Sequence, residues 1–396
     1  MCIIQGCKRD WEEQCTEMRR IYKDSFVTLA GPAASNCHSG FLGTREVASH
    51  TTLQVSDSEN TNEVILSYSG ISEDLGYLMP ETNSVLSKRA WVMQERLLSS
   101  RVLYFGTKSM YLECFTNVRF ENCHYPINWE YTYIDMVEKI SFDQLDTRFK
   151  CFEYWTSLVQ TYSETNLTNT TDRLPALSGL ASDFQRVTKA RYLAGIWRED
   201  MPRALAWYVP FFNAVGVPPL ISASDYIAPS WSWASAKLGV LFVNGGYENQ
   251  FYCGLDIIDA GQDLTGLDSF GGVKGGYLDV LGSVQTRLVQ QLPDLIVPER
   301  RTLYLQSCNS QDSILATYAP DDVSKVIGPK FKVLMVYLGR YSTGQVVAIA
   351  IEPVDGQNNT YRRIGLAYTG EPGYEKFAHS FRDIFHDIGQ SFLRLI

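Results

Sequence analysis

Apolar positions recur along the chain with two different periods, and the change of period divides it into three zones. In the first zone, Cys2-Ile3-Ile4-Gln5 reads as the end of a buried strand. Asp10, with Glu13 three residues on, carries an N-cap and capping-box signature. Trp11, Cys15, Met18 and Tyr22 then recur at helical spacing, and Ser25–Ala30 reads as a second strand closed by Gly31-Pro32. Strand, helix, strand at this spacing predicts a parallel βαβ unit with 2–5 alongside 25–30, and ligands would bind near Gln5-Gly6 and Ala30-Gly31. A parallel sheet that opens at residue 2 implies a missing upstream neighbour.

Thr51–Asn62 is polar and reads as a surface insertion. Lys88–Leu98 predicts a short helix, with Val102–Gly106 and Met110–Cys114 as a hairpin turned at Thr107-Lys108. In the second zone helical spacing dominates from Ile134 to Asn166, and Pro175 stands where a helix begins. From Ala228 onward GGYLDVLGSV, RTLYLQS, FKVLMVYLGR and QVVAIAIEPV read as short strands between turns. The expected organisation is a partial α/β domain over 1–125, a helical region over 126–225 and a mainly antiparallel β region over 226–396. The fold class is α+β overall.

Composition narrows the functional classes. The 396 residues are 45% hydrophobic and 20% charged, ordinary values for a globular chain. A net charge of -9 argues against general nucleic-acid binding, which needs basic surface to neutralise phosphates. No apolar run approaches the length of a membrane span, and no signal peptide is visible, so the expected location is the cytoplasm. The 9 cysteines contain no Cys-x-x-Cys pair and read as reduced thiols, mostly core filler. In that setting the sequons at Asn166, Asn169 and Asn358 carry no weight.

CIIQ, DWEEQCTEMRRIYKDSFVTLAG and RAWVMQERLLSSRVLYFGTKSMYLEC together resemble the HET (heterokaryon incompatibility) domain of filamentous fungi. DRLPALSGLA, YLAGIW and APSWSWAS are similar to the region that follows that domain in many members. The family's opening Leu-Ser-Tyr-x-Trp-Gly-like block has no counterpart, and the chain starts inside the second motif. The resemblance implies distant kinship to TIR domains, some of which cleave NAD, and hence a TIR-like parallel layer. With no phosphate-binding loop in the sequence, no NAD hydrolysis and no cofactor are expected.

Within these motifs Glu95 stands out as a carboxylate in an apolar segment, either an acid or base tuned by burial or a structural ion pair with Arg89, Arg96 or Arg101. Glu95 and Arg96 are the candidate catalytic residues. Trp91 lies four residues before Glu95, on the same helical face. With Gln5, Tyr111, Trp231 and Trp233 it completes the candidate substrate-binding set. In Pro229–Trp233 the two serines would share one face and the two indoles the other, as an apolar platform or as a core plug. No histidine or cysteine spacing suits a metal, and no catalytic triad can be argued. The expected partner is a small apolar molecule, with self-association left open. Two functions follow: a cofactor-free cyclase or pericyclase of specialised metabolism, or the family's incompatibility and cell-death effector.

Overall fold

The structure is a computed structural model that describes residues 7–42, 50–56, 61–67, 84–107, 109–121, 137–210, 226–243, 250–293, 301–306, 314–322, 330–369, 385 and 388–396. The chain forms two compact units, Met1–Asp146 and Thr147–Ile396. Helices and strands mix in an α+β fold.

The first unit begins with α1, Lys8–Lys23, whose N-cap is Cys7 and not Asp10. Asp10 sits inside the first turn, where its charge complements the helix dipole without capping the backbone. β1 is Thr28–Ala30, and β2 (His50–Ser56) pairs antiparallel with β3 (Thr61–Ser67), so the described residues of the polar stretch are strand. α2 is Ala90–Leu98, followed by β4 (Arg101–Phe105), β5 (Met110–Cys114) and β6 (Val118–Phe120). These strands form a sheet in the order β1-β4-β5-β6. β1 and β4 run parallel in the register Thr28↔Val102, and β4, β5 and β6 are antiparallel neighbours. β1, α2 and β4 thus make the parallel crossover, whereas the strand expected at 2–5 lies outside the described residues. Leu97, Leu98, Val102, Val118 and Phe120 are the buried apolar centre of this unit.

The second unit opens with α3, Arg148–Ser163, capped by the Thr147 side chain accepting from the Lys150 amide. Pro175 starts a 3₁₀ turn that runs into α4, Ser178–Thr188, as proline's fixed φ and missing N–H favour at a helix start. β7 (Tyr192–Leu193) and β8 (Ile196–Trp197) make a tight hairpin turned at Ala194-Gly195. Gly195 has φ +94°, and an added Cβ would lie 2.6 Å from the Trp233 ring nitrogen, so glycine is required twice over. Its carbonyl oxygen accepts from Trp155 Nε1 at 3.2 Å and from Trp233 Nε1 at 2.9 Å. β9 (Trp207–Tyr208) pairs with β10 (Leu241–Phe242).

The remaining strands are β11 (Phe251–Cys253), β12 (Leu255–Leu264), β13 (Val273–Pro293), β14 (Arg301–Gln306), β15 (Ile314–Pro320), β16 (Lys330–Tyr341), β17 (Val346–Pro353), β18 (Thr360–Tyr368) and β19 (Gln390–Leu395). β16, β17, β18, β15, β14 and β13 follow one another by antiparallel pairing, and β13 pairs again with β16. The six strands therefore close into a barrel. Closure is possible because β13 is far longer than the sequence suggests: residues 273–283 pair with β12 and β19, and 284–293 with β14 and β16. Alternate residues such as Val289, Leu303, Tyr318, Met335, Ala348 and Ala350 share one buried cluster, the side-chain filling that a barrel this narrow requires. Val347, Ile349 and Ile351 are buried as well, so β17 is covered on both faces. On β18, the fully buried Arg363 lies 3.4 Å from the Trp207 ring, donates to the Leu205 and Trp207 carbonyls, and pairs with Asp321 at 3.0 Å.

Candidate functional site

α1 and α2 build the site in the first unit. Trp11 and Trp91 meet edge to face with ring centroids 6.4 Å apart. One turn beyond Trp91, Glu95 takes a hydrogen bond from the Tyr22 phenol of α1 and feels the positive charge of Arg89. Burial is the larger influence and raises the Glu95 pKa against both of those effects. The same burial, reinforced by Glu95, raises the Tyr22 phenol. Trp91 and Glu95 are both half-buried, so the carboxyl is shielded yet reachable. A carboxyl with a raised pKa and a phenol on one of its oxygens is equipped to give and retake a proton.

Arg96 points away from this face, into the sheet. It is buried and grips Glu113 of β5, with Nε 2.9 Å from Oε1 and 3.1 Å from Oε2, while Nη1 donates to the Val137 carbonyl at 2.8 Å. Tyr104 of β4 donates to the other side of the same carboxylate at 2.7 Å and stacks on Tyr111 with centroids 4.4 Å apart. Lys139, fully buried, donates to the Arg96 carbonyl, and burial lowers its pKa to about 7. Arg96 and Glu113 thus form a buried ion pair, with Lys139 tied to it through the Arg96 backbone carbonyl.

The candidate residues therefore divide between surroundings. Glu95 and Trp91 come together on the α1–α2 face. Arg96 and Tyr111 belong to the buried network behind it. Gln5 lies outside the described residues. Trp231 and Trp233 are fully buried in the second unit and do not form one extended platform. Ser232 caps a 3₁₀ turn at Trp233–Ser235, so the two indoles leave the chain toward different neighbours. Trp231 packs near Gly276 of β13, with its carbonyl accepting from Trp207 Nε1 at 3.0 Å, while Trp233 meets Tyr162 and the Gly195 turn.

Tyr22, Glu113 and Lys139 are participants that the sequence reading passes over. Tyr22 is hidden because an aromatic at stripe spacing looks like core. Glu113 carried a signal, since strand alternation puts it on the buried side with Tyr111. Lys139 carried none. Among the described residues no group of three His, Cys, Asp or Glu side chains could hold a metal, and no helix is long and apolar enough to cross a membrane. Six cysteines are free thiols there, of which only Cys15 and Cys151 are buried as core filler, while Cys37 and Cys253 are exposed.

A short α/β segment that presents an acid on a helix face, backed by a buried ion-pair sheet, is the structural class of the first unit. Residues 1–95 match the family described as Heterokaryon incompatibility protein (HET), a HET-like segment that includes α1, α2 as far as Glu95 and both residues of the Tyr22–Glu95 pair. The resemblance drawn from the later motifs lies beyond that match. No curated protein and no solved structure matches the chain.

Proposed function

We propose that this HET-like chain is a cofactor-independent enzyme of specialised metabolism that cyclises or rearranges a small apolar molecule at the α1–α2 face. The observation that carries the reading is the Glu95 carboxyl, held by burial toward its protonated form and hydrogen-bonded to the Tyr22 phenol, with the paired indoles of Trp11 and Trp91 one turn away along α2. Its proton would pass to a double bond or a ring oxygen of the substrate. The Trp11 and Trp91 π-faces favour the positive charge that then develops on carbon. The Tyr22 hydrogen bond stabilises the carboxylate left behind until a substrate C–H returns the proton. Any contribution from Trp231 or Trp233 would require the core of the second unit to open.

The family match favours a second reading, an effector of heterokaryon incompatibility. One strain comparison separates them: the wild-type gene, a deletion and a Glu95→Gln allele at the native locus, with metabolite profiles and viability after hyphal fusion. The enzymatic reading expects loss of one cyclic product and a build-up of its open-chain isomer in both mutants, with fusion unaffected. Activity of the purified protein should also survive chelators and exhaustive dialysis. Unchanged metabolites with altered viability after fusion would establish the effector and discard the enzyme.

A further inference from the structure

Arg173, in the second unit, ends the 3₁₀ turn Thr170–Arg173 and is 1% exposed. Its guanidinium carbon lies 5.4 Å from the centre of the Trp233 ring. Nε and Nη2 are both buried and have no hydrogen-bond partner among the described residues. These two N–H groups lie on one edge of the guanidinium fork, the edge that takes two oxygens of a carboxylate or phosphate side by side.

The described hydrogen bonds of the neighbouring polar groups go elsewhere. The Tyr162 phenol is turned to the carbonyl of Arg173 itself, donating at 2.8 Å, and Trp233 Nε1 is committed to Gly195. Asp172, next in the chain, accepts from the Asn169 side chain at 3.2 Å. Burial drags the Arg173 pKa down to about 10, and the Tyr162 phenol nearby offsets this only in part. A guanidinium taken out of water with these two donors unmet is a costly arrangement unless something meets them.

We propose that Arg173 binds a small oxyanion, bidentate through Nε and Nη2, beside the Thr170–Arg173 turn. Carboxylates and phosphates share the chemistry, and the site is separate from the Glu95 face.

The test uses the whole protein, equilibrated for hours at fixed ionic strength set with sodium chloride, and titrated with inorganic phosphate or with acetate. A saturable rise in melting temperature with one of them, together with a change in tryptophan emission, is the expected result, and the effective anion identifies the class. Arg173→Lys keeps the charge but loses the fork, so binding should weaken roughly tenfold or more. Arg173→Met should abolish it. No saturable response in the wild type would mean that water meets the two donors and would overturn the proposal. An equal response in Arg173→Lys would place the anion elsewhere and overturn it too. Should Arg173→Met fail to fold, the wild-type titration and Arg173→Lys decide the matter.

Discussion

Glu95 is a carboxyl whose folded pKa stands above the ordinary glutamate value because burial penalises its charge. A raised folded pKa means that the native state binds the proton more tightly than the unfolded chain does. The stability this confers is complete below the unfolded pKa and is lost as pH rises through the folded one. Glu95→Gln removes the titration, so the variant should gain stability relative to wild type as pH rises from about 4 to 8. Paired melts across that range check it, and a pH-independent difference would show that Glu95 ionises freely. The sequence drew attention to this residue for the right physical reason, a charge among apolar neighbours. It could not supply Tyr22, because a tyrosine at stripe spacing is indistinguishable from core until the facing helix is placed.

At the scale of elements, α2 is tied to β5 by the buried Arg96–Glu113 pair, with side chains 7% and 3% exposed. Breaking one partner of such a pair leaves a buried charge unmet, so Glu113→Gln should cost about 3–5 kcal/mol. The double variant Arg96→Met/Glu113→Leu should recover most of that loss. The comparison belongs near pH 8, above the depressed value of about 7 at which Lys139 sheds its proton, so that no second bare charge is created. Urea midpoints of the three proteins decide it. An equally unstable double variant would mean that shape and not charge governs the site. The hairpin of β4 and β5 was legible from two apolar runs around Thr107-Lys108, as was the start of the 3₁₀ turn at Pro175. The N-terminus of α1 was misread because the helix dipole favours acidic residues throughout the first turn, so the spacing of Asp10 and Glu13 imitates a capping box without being one. The partner of β1 was illegible, since Thr28 and Val102 are joined by register across a long stretch of chain and not by local pattern.

For the whole molecule, each unit has its own sheet and its own buried apolar centre. Denaturant should therefore unfold the protein in two steps, as is usual when cores are separate. Trp155, Trp197, Trp207, Trp231 and Trp233 all lie in the second unit, so tryptophan emission should follow mainly that step, while far-ultraviolet dichroism reports both. Glu113→Gln should move only the step that emission follows weakly. A single coincident transition that shifts as one in this variant would refute separate folding. The antiparallel character of the C-terminal region was plain from its alternating strands. Its closure was not, because the return pairing of β13 with β16 depends on one strand being long enough to serve two sets of neighbours.

The carbonyl of Gly195 takes both of its indole donors from parts of the chain some forty residues away, Trp155 on one side and Trp233 on the other. The hairpin that presents this oxygen spans only β7 and β8 and can form early, whereas its two donors must arrive from distant segments after long loops have closed. The two bonds are therefore expected to form late, after the rate-limiting barrier has been crossed. Replacing either indole by phenylalanine should accordingly leave the refolding rate nearly untouched and make the native state shorter-lived, so that these two hydrogen bonds set how long the protein stays folded and hardly affect how fast it gets there.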